Sequence, residues 1–414
     1  MIGSLFAGIS GLNANATAMT VIGDNIANVN TTAFKSNRAS FSNILSQSLG
    51  GAESNNVGRG VQFWGAQPLW TQGSLENTSS PTDLAVNGKG FFMVEDTDGR
   101  LYYTRAGEFT FDREGNLKNP DGLIVQGYSV SSVASDGTIT LGPIDDVMVP
   151  GESTTPPNAT SLFTMDINLD AGASAGDTYS TILTVYDSLG NDIPVTFTFT
   201  NVAAGSWTVA ASIPASVGTG ATINGGATAA VTFDANGALT APASDVPLAL
   251  TLTNGATTPQ SITWDLYDAG GTSRGDVTGY ASPSATTFQT QDGYDSGALR
   301  SVSVDEEGVI VGAYSNGQLM PLFQLVLADF PSYAGLTKGG NNLYSESRAS
   351  GQAMPGPPGS GTLGSITPAA LEMSNVDLAS EFVKMITTQR AFQANARVIT
   401  TSDEILSELI NVKR

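Results

Sequence analysis

The sequence predicts a mainly β multi-domain protein, with β-sandwich or barrel-like domains nested by insertion and N- and C-terminal α-helices that form a coiled-coil-like assembly domain. Three observations support this prediction. Apolar residues recur every seven positions at both ends of the chain, strand patterns with Gly and Asn turns fill the middle, and two loop-like breaks flank one strand-rich segment. A chain of 414 residues has room for two to four domains.

The N-terminal helix is predicted over the first thirty residues. Leu5, Leu12, Met19 and Ile26 form one row of sevens, and a companion row is offset from it by four. Several glycines interrupt this stretch, and each lowers helix stability by roughly 1 kcal/mol relative to alanine. We therefore expect the isolated helix to be marginal in water.

The C-terminal helix is predicted over roughly 376–412, after a capping box at residues 374–377. Its apolar rows allow two interpretations, an ordinary amphipathic helix on a core or a coiled coil between chains. Matched rows at both ends favour the second interpretation. The predicted assembly seam consists of Leu5, Ile9, Leu12, Ala16, Met19, Ile26, Leu378, Phe382, Met385, Phe392, Ile399 and Leu406.

Three asparagines, Asn25, Asn28 and Asn30, lie where the first helical pattern stops, in the stretch DNIANVNTTAFK. Asparagine tolerates left-handed backbone and hydrogen-bonds its own main chain, so it often ends helices and begins tight loops. A helix end followed by a loop is one interpretation. The alternative is that these side chains fix the register between neighbouring copies.

The middle of the chain is predicted to be β structure interrupted by linkers near 149–161, 280–289 and 351–364. Three Asp-x-x-Gly stretches, beginning at Asp112, Asp234 and Asp305, predict type I turns between strands. The predicted domains are 1–30 plus 375–414 (helical assembly domain), 31–70 plus 351–374 (connecting segments), 71–150 plus 286–350 (a β domain) and 151–285 (an inserted outer β domain).

Composition excludes several classes of function. The net charge of −21 argues against nucleic acid and anionic membranes as partners. Cys and His are both absent from the sequence, so disulfides, thiolate metal sites and the commonest catalytic base are excluded. We expect no enzyme activity, cofactor or metal. The N-terminus lacks a Sec-type signal, and no run reaches the roughly 18 apolar residues of a membrane span.

Three motifs resemble those of bacterial flagellar rod and hook proteins. DNIANVNTTAFK resembles the N-terminal signature of the family, with signature residues Asn25, Asn28, Asn30, Phe34 and Lys35. In this sequence Ala33 stands where Gly is usual. YYTRAGEFTFDREGNLKNPDGLIVQGY resembles the shared core motif, and the segment from SNVDLASEF to the last residue resembles the C-terminal signature.

TVYDSLGNDIPVTFTF further resembles the middle domain of hook members. The resemblance implies a structural subunit that self-assembles into the curved tube of the flagellar hook, a universal joint carrying torque from rod to filament. It implies export through the flagellar type III apparatus to an extracellular site. The implied partners are copies of itself, the rod protein, the hook cap and the hook–filament junction proteins. The alternatives are a distal rod subunit and, from a different class, a secreted β-sandwich adhesin.

Overall fold

The computed structural model describes residues 2–44, 47–48, 56–57, 60–133, 138–151, 153–268 and 270–412. It confirms a mainly β protein with a helix at each end, α1 (Ile2–Ala27) and α2 (Leu378–Val412). The chain divides into two compact units. The terminal unit comprises Met1–Gly151, Val302–Gly312 and Met320–Arg414, and the inserted unit comprises Glu152–Ser301 and Ala313–Leu319.

The ends of the two helices follow from local hydrogen bonding. The Asn28 side chain donates to the carbonyl of Asp24 at 2.9 Å and thereby closes the last turn of α1. At the start of α2, Asp377 Oδ1 accepts the amide of Ala379 at 3.0 Å, so Asp377 is the N-cap. The predicted capping box was therefore wrong in register, because Ser374 bonds only the amide of Val376, before the helix begins.

Twelve strands of the terminal unit precede the insertion. They are β1 (Asn37–Asn43), β2 (Gln47–Ser48), β3 (Asn56–Val57), β4 (Val61–Pro68), β5 (Leu75–Asn77), β6 (Leu84–Asn87), β7 (Phe91–Glu95), β8 (Leu101–Thr104), β9 (Thr110–Phe111), β10 (Leu117–Lys118), β11 (Ile124–Val133) and β12 (Ile139–Asp146). Strands β1 and β4 form a separate antiparallel ribbon with a bulge between Ser40 and Phe41.

Eleven strands build the inserted unit. They are β13 (Leu162–Asn168), β14 (Thr178–Tyr186), β15 (Asp192–Ala203), β16 (Ser206–Ser212), β17 (Gly218–Ile223), β18 (Ala229–Phe233), β19 (Leu239–Ala241), β20 (Val246–Leu252), β21 (Gln260–Trp264), β22 (Val277–Thr278) and β23 (Ala285–Gln291). One sheet has the order β14-β15-β16-β18-β19. The other has the order β17-β20-β21-β13-β22, with β23 also paired to β13.

A large apolar core holds the inserted unit together. Along β15 every second residue is buried, so that Val195, Phe197 and Phe199 point inward while the threonines between them face outward. Trp264 of the other sheet lies 6.3 Å from the Phe197 ring, and its neighbour in its own sheet, Phe163, lies 5.8 Å from it, both between ring centroids. Because its own two sheets bury these rings, this unit requires no second chain to complete a core.

Nine further strands follow. Residues of β24 (Leu299–Val304), β25 (Val309–Tyr314) and β26 (Leu319–Leu325) are divided between the two units. The terminal unit then adds β27 (Leu327–Asp329), β28 (Thr337–Gly340), β29 (Leu343–Ser345), β30 (Met354–Gly356), β31 (Ser365–Pro368) and β32 (Ala370–Glu372). Its central sheet runs β11-β7-β8-β29-β28. Trp70 lies at 5.1 to 5.6 Å, edge to face, from three rings of its core, Phe91, Tyr333 and Tyr344.

Two of the predicted linkers contain ordered strands. Residues 285–291, expected in part to be a linker, form β23 on the edge of a sheet. The stretch 351–364 contains β30, which pairs with β27, and a turn closed by the Gly359 amide on the Gly364 carbonyl at 2.9 Å. The inserted unit extends to Ser301, beyond the predicted boundary at 285, and includes Ala313–Leu319.

The three Asp-x-x-Gly turns are confirmed. The glycine amide donates to the aspartate carbonyl at 3.1 Å in the Asp112 and Asp305 turns and at 3.0 Å in the Asp234 turn. Each aspartate also accepts, through a side-chain oxygen, the amide four residues on. These carboxylates are occupied within their own turns, as expected for structural rather than ligand-binding aspartates.

Candidate assembly site at the chain termini

Helices α1 and α2 pack against each other as an antiparallel pair within one chain. The contacts run in register, with Ser4 Oγ lying 3.4 Å from Ser402 Oγ near one end. At the other end Asn25 Nδ2 donates to Glu381 Oε2 at 3.2 Å. The expectation that each terminal helix meets its partner only in another copy was therefore wrong for this pair.

The face that α1 turns towards α2 consists of small residues. The buried positions along it are Gly8, Gly11, Ala14, Ala18, Ile22 and Asn25. The backbones come so close that a methyl group added at Gly11 would lie 2.8 Å from Asn395 Oδ1, and one at Gly8 would lie 3.1 Å from Ile399 Cγ1. The glycines that weaken the isolated helix thus permit this close packing.

The predicted seam of α1 lies beside this buried face rather than on it. Leu5, Leu12, Met19 and Ile26 are half-buried. In the companion row Ile9 and Ala16 are exposed. Small residues, rather than these rows, form the helix contact within the chain, because they allow a closer approach than leucine or methionine does. The contact of the rows with another copy remains a prediction.

On α2 most of the predicted row of sevens falls on half-buried positions, and its contact with another copy stays a prediction. Met385, Phe392, Ile399 and Leu406 are half-buried on the side that faces α1. The companion positions on that side are polar, namely Glu381, Thr388, Asn395 and Ser402. The expected companion Phe382 and the first residue of the row, Leu378, are instead exposed.

Large apolar side chains cover the outer surface of the helix pair. We define the outer apolar face by the exposed residues Phe6, Ile9, Leu378, Phe382, Val383, Ile386, Val398 and Ile405. Phe382 and Ile386 are 50% and 51% exposed, and Val383 is 62% exposed. An apolar surface of this kind, running along both termini, is typical of a site that another molecule covers.

The apolar character of α1 also meets a simple test for membrane helices. Gly3–Ala27 is long enough to cross a bilayer, and its most apolar window has a mean hydropathy of 1.3. We expected no apolar run as long as a membrane span, and α1 is an exception by this hydropathy criterion. Length and hydropathy are weak evidence, since a soluble helix with one packed face passes the same test.

Asn25 links the end of α1 to the start of β1 through side-chain hydrogen bonds. Its side chain donates to the Asn37 carbonyl and accepts the Asn37 amide, both at 2.8 Å. The side chain is buried, so these bonds replace the water it would otherwise bind. Asn28 accepts the hydroxyl of Thr31 at 3.1 Å, and Asn30 is exposed. The contacts of Asn25 and Asn28 favour the interpretation as a helix end followed by a loop.

Lys35 lies in a buried ionic cluster with Glu372 and Arg105. Its Nζ is 2.5 Å from one carboxylate oxygen of Glu372, and Arg105 Nη1 is 3.4 Å from the other. Glu372 is fully buried and also accepts the amide of Gly73 at 2.9 Å. Burial lowers the pKa of both Lys35 and Arg105, and the neighbouring Glu372 opposes that shift.

This cluster ties three parts of the terminal unit together. Lys35 follows α1, Arg105 follows β8, and Glu372 ends β32 just before α2. Backbone bonds continue the connection, because the Ala33 amide donates to the Glu372 carbonyl at 2.7 Å and the Asn375 amide to the Phe34 carbonyl at 3.3 Å. We call the residues Asn25, Ala33, Lys35, Arg105, Glu372 and Asn375 the terminal lock.

Ala33 adopts a left-handed backbone with φ of 56° and is completely buried. The sequence comparison placed a glycine at this position of the motif, and glycine adopts that conformation without steric cost. The turn geometry is thus retained in this chain in spite of the side chain, because the bond to Glu372 and close packing hold it.

A polar cleft of 340 Å³ lies beside the lock and is lined by Asn28, Phe34, Lys35, Lys338 and Asn342, among others. Lys338 Nζ donates to Asn37 Oδ1 at 2.7 Å, and Asn342 Nδ2 donates to the Thr32 carbonyl at 2.8 Å. These bonds join the two walls of the cleft to each other, so we interpret its polar groups as structural. Among the described residues no group of three acidic, His or Cys side chains could hold a metal ion.

Four family models match successive parts of the chain. They are described as Flagella basal body rod protein (residues 5–35), Flagellar hook protein FlgE/F/G D1 domain (85–171), Flagellar basal body protein FlaE D2 domain (158–294) and Flagellar basal body rod FlgEFG protein C-terminal (367–412).

Curated relatives match over the whole length. The flagellar hook protein FlgE of Treponema pallidum is 34% identical, with 100% of both chains covered. That of Escherichia coli is 36% identical, with 98% of both chains covered. The chain belongs to the flagellar hook protein FlgE family. In fold it is similar to the crystal structure of Helicobacter pylori flagellar hook protein FlgE2, with a TM-score of 0.53, 16% identity, and 72% of this chain and 100% of that chain covered.

The match to full-length FlgE relatives does not favour the two alternative interpretations, a distal rod subunit and a secreted adhesin.

Among the signature residues, the structure brings Asn25, Phe34 and Lys35 to the terminal lock. Sequence reasoning missed Arg105, Glu372 and Asn375 as their partners. A buried lysine requires an acidic partner, which points to a carboxylate such as Glu372 without identifying it and gives no indication of Arg105 or Asn375.

Proposed function

We propose that this FlgE-family chain is the structural subunit of the extracellular flagellar hook, and that copies of it polymerise through the outer apolar face of the helix pair. The exposure of that face on both terminal helices is the observation that supports this proposal. Covering each fully exposed large side chain would contribute roughly 1.5 to 3 kcal/mol. Contacts of this kind between different faces of identical subunits generate a helical tube when they do not close into a ring.

The charge distribution suits this arrangement. Residues 1–40 carry one acidic and two basic residues, and residues 375–414 carry five of each, so the two ends are close to neutral. The remaining segment, 41–374, holds a net charge of −22. Neutral helices can approach their copies without strong repulsion, while acidic β units favour the solvated exterior of the tube.

Mechanically, the product is a curved tube that transmits torque while it bends, a universal joint between rod and filament. The helix pair supplies the inner wall, and the independently folded inserted unit supplies contacts that change as the tube bends. This function requires no catalysis. It also implies export by the flagellar type III apparatus without a Sec signal, assembly beneath the hook cap, and end contacts with rod and junction proteins.

The decisive test replaces an apolar side chain of the outer face by a charge. Phe382→Asp should prevent tube formation at high salt, because half of this side chain is exposed in the single chain and would become buried between copies. Electron microscopy measures tubes, and circular dichroism measures retained helix. Met385 and Phe392 are poorer choices because they face α1.

Val202→Asp is the matched control, since Val202 is 55% exposed, much like Phe382, but belongs to the inserted unit rather than to the terminal helices. It should form tubes like those of the natural chain. Normal tubes from Phe382→Asp would rule out this face as the polymer contact. Absence of tubes from the natural chain under every salt condition would contradict the polymer function itself.

A further inference from the structure

Two long edge strands of the inserted unit lie next to each other without backbone pairing. Strand β14 pairs only with β15, and β23 pairs only with β13. Edge strands normally present unpaired amides and carbonyls that can bind another chain. The other edge strands described in these two sheets are shorter or contain glycine. Strand β19 has three residues, and β17 contains Gly218 and Gly220.

Side chains bridge the gap between these two strands. The Thr286 amide donates to the hydroxyl of Tyr179 at 2.8 Å, and Gln289 Nε2 donates to the Ile182 carbonyl at 2.9 Å. A cleft of 420 Å³ remains between the strands, lined by Tyr179, Thr181 and residues 286–289. Because Tyr179 and Gln289 occupy these backbone groups, strand addition by another chain is disfavoured here.

The two strands carry exposed apolar side chains and no charged ones. Ile182 is 57% exposed and Phe288 is 56% exposed. Neither TYSTILTVY of β14 nor ATTFQTQ of β23 contains an Asp, Glu, Lys or Arg. We define the edge surface as Tyr179, Ile182, Thr286, Phe288 and Gln289.

The rest of the unit would repel a copy of itself. Residues 152–301 contain thirteen acidic and two basic residues, a net charge of −11. Acidic residues stand just beyond the strand ends, at Asp177, Asp187 and Asp292. Two inserted units can therefore approach closely only where charges are missing, and the edge surface combines missing charge with exposed apolar area.

We propose that the edge surface is the place where inserted units of neighbouring copies touch in the polymer. This inference rests on the proposed function and adds the contact face of the inserted unit to it. We expect side chains to make the contact, since Tyr179 and Gln289 each occupy one backbone group at the facing edges, the Thr286 amide and the Ile182 carbonyl. Apolar side-chain contacts are non-directional, so they can shift in register as the tube bends, whereas strand pairing would fix one register.

The chain offers a clean test because it contains no cysteine. Single-thiol variants Ile182→Cys and Phe288→Cys place one reactive group on the edge surface. Val202→Cys is the control, because Val202 is 55% exposed in the same unit, is not part of the edge surface, and lies six residues along β15 from Thr196, the partner of Ile182. Each variant is reacted with a maleimide as monomer and as assembled tube, and labelling is followed by mass spectrometry.

We expect the thiols at 182 and 288 to react at least severalfold more slowly in tubes than in monomers, and the thiol at 202 to react equally in both. Equal rates in both states at 182 and 288 would overturn the inference while leaving the tubes, and hence the proposed function, intact. Protection of 202 to the same degree would also overturn it, since burial would not be specific to this surface.

Discussion

The N- and C-terminal segments meet at two places that differ in construction, the helix pair and the terminal lock. In the helix pair, the contact consists of glycine and alanine against a half-polar row, with few large buried side chains. In the lock, charged and amide side chains are buried and bonded to named partners. The helix pair depends mainly on close packing of small residues, with hydrogen bonds near its two ends, whereas the lock depends on buried ionic and amide bonds. The first contact is therefore sensitive to side-chain size and the second to charge.

The largest effect should come from removing the shared carboxylate of the lock. Glu372→Gln leaves Lys35 and Arg105 buried without a counter-charge, which should cost about 3 to 5 kcal/mol in the free energy of unfolding of the terminal unit. Denaturant titration followed by hydrogen exchange measures the loss. Glu346→Gln, at an exposed carboxylate, is the control. Equal stability of the two variants would show that the lock is not an anchor.

A smaller effect should follow from enlarging the helix contact. Gly11→Leu gains helix propensity but pushes α1 against Asn395, so we expect a net loss of about 1 to 2 kcal/mol in helix pairing. The neighbouring Leu12→Ala removes a half-buried side chain and should cost less than about 1 kcal/mol. Hydrogen exchange of both helices compares the two variants. A greater loss from Leu12→Ala would show that the leucine row, and not the small-residue face, dominates the contact between α1 and α2.

The smallest effect concerns the turn that joins the two places. Holding Ala33 in the left-handed conformation costs about 1 to 2 kcal/mol, and Ala33→Gly removes this strain. The substitution also loses a buried methyl group and increases the entropy of the unfolded chain, and both effects lower stability. We expect a net gain of less than about 1 kcal/mol, measured by thermal unfolding. A clear loss would show that packing of the methyl group outweighs backbone strain.

Much of this architecture could be predicted from the sequence, and the errors have a common cause. Heptad spacing located both helices, and Asp-x-x-Gly patterns located turns, because these signals depend on neighbours along the chain. The spacing could not show that Gly8 and Gly11 would face α2, since the choice of face depends on the partner helix. The pairing of Lys35 with Glu372 joins residues far apart in sequence and therefore leaves no local pattern.

The incoming and outgoing segments of the inserted unit run side by side. Thr154 bridges to Ala298, and Asn158 bridges to Tyr294. Everything between Asn158 and Tyr294 therefore begins and ends at one pair of bridged residues within the inserted unit. A designer can lengthen, shorten or replace that stretch without changing the residues that form the helix pair and the terminal lock.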